Sequence, residues 1–283
     1  MQSPVKALIA LVICSILWSI GGLFIKLVEW TPLGIAGIRS LLGGVTILLW
    51  IKKPRFTFSL PQLAAALCNA GTMILFVYAN KLTTSANAIL LQYGAPLYVA
   101  LFGWMLLKEK PNWEHWVGLA LIGGGIYLFF IDKVTAGNTE GNILALLSGF
   151  TFAFYAIFMR MQKEGSPIES VLMSHFLVFF FSLPALVKTS PPAFPGSWIA
   201  LVILGIFQIG FSSILFARGI KGVTTIQAML ITTLEPILNP LWVFLVLRET
   251  PSRNALWGGV LILFAVSLSS VVSTYRSRKT AWC

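Results

Sequence analysis

The stretch Ala88-Ile-Leu-Leu-Gln-Tyr-Gly-Ala-Pro96 is answered 140 residues later by Ala228-Met-Leu-Ile-Thr-Thr-Leu-Glu-Pro236. The same offset pairs Lys81 with Lys221, Thr84 with Thr224, Glu109 with Glu249, Pro111 with Pro251 and Gly118 with Gly258. One register held across two consecutive apolar stretches marks an internal repeat. Earlier in each half the match is weaker: Trp18, Phe24 and Lys26 resemble Phe152, Phe158 and Arg160 at an offset of 134.

Composition names the solvent around that repeat. Hydrophobic residues make up 57% of the 283 residues and charged residues 10%, with a mean hydropathy of +0.87. Such values lie outside the soluble range. A helix needs about 20 mostly apolar residues to cross a bilayer. Stretches of that kind run over 6–29, 33–51, 60–80, 84–107, 114–131, 141–161, 168–188, 197–218, 223–247 and 255–274. The gaps are short, and the longest, near 190–197, holds Pro191, Pro192 and Pro195. No gap can house a soluble domain. The expected class is therefore an all-α integral membrane protein with ten transmembrane helices. Lys6 precedes a long apolar run without a small-residue cleavage pattern, so that run reads as a retained first span rather than a signal peptide.

The formal net charge of +11 reports orientation rather than a nucleic-acid partner, because the basic residues sit at span ends. One side of the bilayer receives Lys26, Lys81, Lys133, Lys188, Arg248 and Arg253; all the others except the intramembrane Arg39 fall on the opposite, N-terminal side. Cytoplasmic loops are enriched in Lys and Arg, which places both termini in the cytoplasm and requires an even span count. Trp30, Trp50, Trp113, Trp116 and Trp198 lie near the span ends, where amphipathic rings belong. Cys14 and Cys68 fall inside spans and Cys283 ends the chain, so no disulfide framework is expected.

The repeat divides the chain into 1–133 and 134–283, five spans each, the second followed by a short basic tail. An odd number of spans per half makes the two halves enter the membrane in opposite senses. Inverted repeats of this kind characterise secondary transporters, in which two near-mirror states expose a central site alternately to each side. Gly21-Gly22, Gly43-Gly44, Gly123-Gly124-Gly125 and Gly258-Gly259 read as close helix contacts. The run at 123–125 lies inside a span with no Lys-Ser/Thr after it, unlike a phosphate loop.

Several motifs together resemble the EamA-like branch of the drug/metabolite transporter superfamily. They are Leu-Trp-Ser in the first span, Ile-Arg-Ser in the second, Leu-Lys-Glu-Lys-Pro at 107–111, and the glycines at 118 and 123–125. The second half adds Glu-Pro-Ile-Leu at 235–238, Leu-Arg-Glu-Thr-Pro at 247–251 and Trp-Gly-Gly at 257–259. The resemblance covers essentially the whole chain. It implies a ten-helix bundle of two inverted five-helix repeats with a central cavity lined by spans 1, 3, 4, 6, 8 and 9. Efflux of amino acids or other small metabolites is the implied activity, and no motif names the cargo.

Three ionisable side chains lie well inside spans: Arg39, His175 and Glu235. Charge in hydrocarbon is costly and marks function by default. Glu235 is followed by Pro236, which lacks a backbone donor and disfavours helical geometry just before it. Glu235 reads either as a substrate-ammonium or coupling-proton site, or as a carboxyl, neutral or paired with arginine, that merely locks helices. The repeat sets Ala95 at the matching position, so any role of Glu235 is asymmetric. Arg39 could meet a substrate carboxylate, Glu235 or backbone carbonyls, with the structural role favoured. His175 could carry protons, though a hydrogen-bonded helix contact is the favoured reading. Uncharged candidates for a pocket are Ser15, Trp18, Asn69, Tyr78, Gln92, Tyr93, Tyr155, Gln208, Ser212, Thr232 and Asn239. Each taken alone reads as an interhelical hydrogen bond.

These features favour an alternating-access secondary transporter in a bacterial plasma membrane, active or facilitative, exporting amino acids or other small metabolites, with a proton as the candidate coupling ion. A sugar-phosphate or nucleotide-sugar antiporter would want several midplane bases, and only Arg39 and His175 qualify. A channel or non-transporting membrane protein is the alternative of another class. Enzyme chemistry is disfavoured: H-E-x-x-H, G-x-S-x-G and paired aspartates are missing, and His115 and His175 are the two histidines. No cofactor, metal or nucleic acid is expected. The partners are lipid and a small-molecule substrate, with monomer and homodimer left open.

Overall fold

The computed structural model describes residues 4–107, 113–131, 138–162, 167–219, 231–232 and 234–280. Every regular element among them is helical. In chain order these are α1 (Pro4–Ser19), α2 (Gly21–Leu27), α3 (Pro32–Ile51), α4 (Leu60–Leu82), α5 (Ser85–Gln92), α6 (Ala95–Leu107) and α7 (Trp113–Ile131). There follow α8 (Asn138–Met161), α9 (Pro167–Lys188), α10 (Pro195–Val202), a π segment (Ile203–Phe211), α11 (Ser212–Gly219), α12 (Leu234–Leu247) and α13 (Arg253–Thr280).

Local chemistry sets the ends. Thr31 caps α3 by accepting from the Gly34 N–H at 3.2 Å, with Pro32 in the first turn, where a missing N–H costs nothing. Thr84 caps α5 in the same way through the Asn87 N–H at 3.1 Å.

Six segments are long and apolar enough to span a bilayer: Val5–Leu27, Pro32–Ile51, Leu60–Leu82, Thr139–Met161, Pro167–Lys188 and Pro195–Gly219. Shorter apolar helices occupy Trp116–Leu128, Leu234–Leu247 and Arg253–Ala265. The chain is thus a multi-pass helical membrane protein. Its exterior agrees: Leu49, Met105 and Val187 are 72%, 71% and 85% exposed, which hydrocarbon favours and water does not. The start of the ninth expected span and the loops holding Glu109, Lys133 and Lys221 lie outside the described residues.

Helix α4 packs on α8 and α9, α3 on α9 and the π segment, and α13 on α7. Helix α1 lies against α11 and α12, while α5 and α6 lie against α8 and α5 also touches α12. Most of the described core is one apolar cluster running from Ile25 and Ile35 through Val77 and Leu91 to Leu204 and Ile262. Trp30 and Trp198 meet at one end, tilted by 49° with ring centroids 6.2 Å apart, and donate to Thr189 Oγ1 and the Pro192 carbonyl respectively. Trp50, at the end of α3, carries the Arg218 guanidinium 5.1 Å from its ring centroid.

Candidate functional site

The site is built where apolar helices stop being continuous. The first span breaks at Ile20, between α1 and α2. Ser19 Oγ turns back to the Ile16 carbonyl at 2.7 Å, competing with the helix ladder, and Gly21 and Gly22 follow. The fourth span breaks at Tyr93–Gly94, between α5 and α6. In an α-helix the amide of residue i bonds the carbonyl of i−4, and proline has no amide hydrogen. Pro96 therefore leaves the Gln92 carbonyl without its helical donor, and Pro236 does the same to Thr232. Those two prolines occupy matching positions of the repeat.

The freed carbonyl of Thr232 is used. Tyr93 Oη lies 3.0 Å from it and 2.9 Å from Glu235 Oε2. One phenol proton thus faces a carboxyl oxygen and a carbonyl oxygen, joining the break in the fourth span to the ninth. Helix α1 closes the same site from the other side. Ser15 Oγ is 3.2 Å from the Ile231 carbonyl, Cys14 Sγ donates to the Ser212 carbonyl at 3.3 Å, and Trp242 Nε1 donates to Ser19 Oγ at 2.9 Å. Glu235 is half-buried. Among the described residues no Lys, Arg or His forms an ion pair with it. No three His, Cys, Asp or Glu side chains among those residues could hold a metal ion.

The eighth span contributes an unusual backbone. Its middle, Ile203–Phe211, is π-helical, a form that is rare and frequent at functional sites. Glycines permit it to sit close to α3: a Cβ on Gly205 would come 2.4 Å from Leu42 Cβ and 2.8 Å from the Arg39 carbonyl. The segment presents Gln208 to the break in the first span, where a Cβ on Gly21 would meet Gln208 Nε2 at 3.0 Å. The buried Gln208 Oε1 has no partner among the described residues.

The other expected site residues divide into groups. Gln92 Nε2 donates to Ser148 Oγ at 2.8 Å and Ser148 to the Thr72 carbonyl at 3.2 Å, tying the break in the fourth span to α8 and α4. Trp18 packs on Phe216 with centroids 5.2 Å apart. Ser212 Oγ, at the start of α11, donates back to the Gln208 carbonyl of the π segment at 2.5 Å. Asn239 is buried against Ser85, 2.8 Å from its hydroxyl. Tyr78 is half-buried in α4. Asn69 Nδ2 donates to Ser174 Oγ at 2.7 Å, pinning α4 to α9. Tyr155 packs with Ile47, Leu172 and Ile214 in a separate cluster. Trp18 and Tyr155 thus make their contacts with different neighbours.

Arg39 does not pair with Glu235. Its Nη2 donates to the Met73 carbonyl at 3.2 Å, and its buried Nε has no partner among the described residues. The hydrogen-bonded contact expected of His175 is not found either. Both ring nitrogens are buried and unpartnered among the described residues, and the ring's Cβ lies 3.2 Å from where a Cβ on Gly44 would stand. These two bases belong to the layer between α3, α4 and α9, not to the carboxylate site. Sequence reasoning missed Trp242 and the Lys26–Glu249 ion pair at one end of the bundle. Matched prolines at 96 and 236 were the available signal for the site itself, since interrupted helices in corresponding positions of two halves point to a binding site.

The description of the EamA-like transporter family matches the chain over residues 5–131 and again over 139–271. The uncharacterized transporter YwfM of Bacillus subtilis is 26% identical over 266 residues, covering 89% of this chain and 88% of the relative. An uncharacterized transporter of Archaeoglobus fulgidus is 25% identical over 261 residues, covering 92% and 94%. A crystal structure aligns over 97% of this chain and 99% of its own with a TM-score of 0.68 at 19% identity, a likeness of fold alone.

Proposed function

The chain belongs to the EamA-like transporter family, and from that premise we propose that it is an alternating-access secondary transporter exporting small metabolites that carry an ammonium group, amino acids among them. The observation that carries this reading is the Tyr93–Glu235–Thr232 contact at the proline-interrupted helices. A carboxylate in hydrocarbon needs a counter-charge or a proton, and none of the described bases stands against Glu235. A substrate ammonium supplies that charge and can add a bond to the Thr232 carbonyl that Pro236 has freed. A proton supplies neutrality on the return step. Substrate and proton then compete for one group, which is how a single acid couples two fluxes.

Two halves of five spans, entering the membrane in opposite senses, provide the alternation. Helix pairings support this. Spans 1 and 8 pack together as spans 6 and 3 do; spans 1 and 9 as 6 and 4; spans 2 and 8 as 7 and 3. Exchanging the halves converts each pairing into its partner and returns the 2–7, 5–10 and 4–9 contacts to themselves. The basic-residue distribution supports a plasma-membrane protein with cytoplasmic termini. Phosphate-bearing cargo receives less support, because Arg39 and His175 are spent on the α3–α4–α9 layer.

A thermal-shift panel on the purified protein tests the proposal. Amine-bearing metabolites should raise the melting temperature, their des-amino analogues should not, and Glu235→Gln should abolish the response. Equal shifts from both compound classes would refute the ammonium assignment.

A further inference from the structure

The end of the bundle bearing Lys26, Lys81 and Glu249 is shut by polar contacts drawn from five spans. Lys26 Nζ, near the end of α2, lies 2.7 Å from Glu249 Oε2 and donates to the Thr83 carbonyl at 2.8 Å. The second carboxylate oxygen, Oε1, accepts from the Ser85 N–H at 2.6 Å. That amide opens α5, so an acid from elsewhere in the chain sits on a helix N-terminus, where the dipole favours it. Lys81 Nζ donates to the Val28 carbonyl at 2.5 Å, tying the end of α4 to the end of α2. Thr83 Oγ1 donates to Asn142 Oδ1 at 2.8 Å, adding the start of α8.

The ion pair connects inward to the carboxylate site. Ser85 Oγ lies 2.8 Å from both Asn80 Oδ1 and Asn239 Oδ1. It has one proton for two acceptors. Turning the Asn239 amide so that its Nδ2 donates to Ser85 Oγ leaves the Ser85 proton for Asn80 Oδ1 and gives that buried NH2 a partner. Asn239 stands one helical turn beyond Glu235, so one face of α12 carries both residues. Gly22 completes the contact: a Cβ there would lie 1.9 Å from Ser85 Oγ and 2.4 Å from Asn239 Oδ1.

We propose that Lys26, Glu249 and the N-terminus of α5 at Ser85 form a latch that holds the non-cytoplasmic end of the transport path closed. The inference rests on the alternating-access reading above. Three features fit a reversible fastening better than a permanent one. The paired side chains are 18% and 21% exposed, so water can replace each partner as the ends part. Glu249 comes from the turn after α12, where Arg248 ends the helix at φ 56° with its N–H on the Phe244 carbonyl at 3.0 Å, so the acid is carried on a turn and not inside a helix. The line Glu235–Asn239–Ser85–Glu249 also gives an event at the carboxylate a short mechanical route to the latch. The repeat sets Arg160 and Glu109 at the positions matching Lys26 and Glu249, so each half supplies one of each charge.

The test uses Ser19→Cys as reporter in a chain with Cys14, Cys68 and Cys283 replaced by alanine. A membrane-impermeant thiol reagent is applied to one face at a time. Charge-assisted bonds of this kind, once lost, should raise labelling from the non-cytoplasmic face about tenfold in Lys26→Met and in Glu249→Gln. Gly22→Ala, which wedges the contact open without altering charge, should do the same. Labelling at the parent rate in all three variants overturns the latch. So does an equal rise from both faces, which reports a loosened bundle. The thermal shift stands apart: variants that keep the cargo response yet label like the parent sink the latch alone, whereas a lost response in the native protein, with Cys14 and Ser19 in place, sinks the site.

Discussion

Glu235 and Arg39 are both charged residues deep in a helical bundle, yet their surroundings are opposites. Glu235 lies in the first turn of α12, just before Pro236 and beside the interruption at Tyr93–Gly94, is half-buried, and shares a phenol proton with a freed carbonyl. Arg39 lies in the middle of the unbroken α3, is 3% exposed, and reaches one carbonyl of the adjacent α4. A break in a helix leaves backbone groups that a ligand can complete; an unbroken helix has none to offer. The first arrangement can trade partners. The second fastens two spans.

Substitutions can break that contrast, beginning with the largest effect. Glu235→Ala should remove cargo binding altogether, a loss of about 3 kcal/mol or more if the ammonium bond is charge-assisted, read as a flat thermal-shift titration. Tyr93→Phe should weaken cargo binding about tenfold, since the carboxylate loses one bond worth about 1.5 kcal/mol; isothermal titration measures it. Pro236→Ala should restore an amide to the Thr232 carbonyl and compete with Tyr93. The cargo affinity then falls several-fold while the cargo-free protein melts higher, by about 1 kcal/mol of added helix bonding. Arg39→Met should change cargo affinity least. It removes one bond and one unpaired buried charge, and such exchanges are often neutral or stabilising. Unfolding by graded denaturant should shift by no more than about 1–2 kcal/mol. Were Arg39→Met to erase the cargo response and Glu235→Ala to leave it intact, the two regions would have to exchange roles.

Multi-pass helical character and the presence of an acid inside an apolar stretch were legible in the sequence because each rests on a strong local signal: a long apolar run, and a carboxyl where none should be. The pairing of Tyr93 with Glu235 was not, because it joins residues 142 positions apart and depends on how two breaks meet. Gln208 was named from its polarity, but no propensity rule announces that its neighbours wind as a π-helix. Arg39 and His175 were legible as buried bases and not as members of one layer, since single-span position says nothing of the neighbour a side chain faces. Lys26 and Glu249 entered the sequence reading as topology and repeat markers. That they meet follows from packing of α2, α5 and the turn after α12, which periodicity does not encode.

The account turns on Glu235 being the group that trades cargo for a proton. Counterflow in proteoliposomes tests it most directly: vesicles preloaded with an amine-bearing metabolite identified by thermal shift are diluted into trace labelled compound, with pH-sensitive dye inside. The native protein should accumulate label transiently and move protons when the compound is added alone, and Glu235→Gln should do neither. Label accumulation by Glu235→Gln at the native rate would contradict the account.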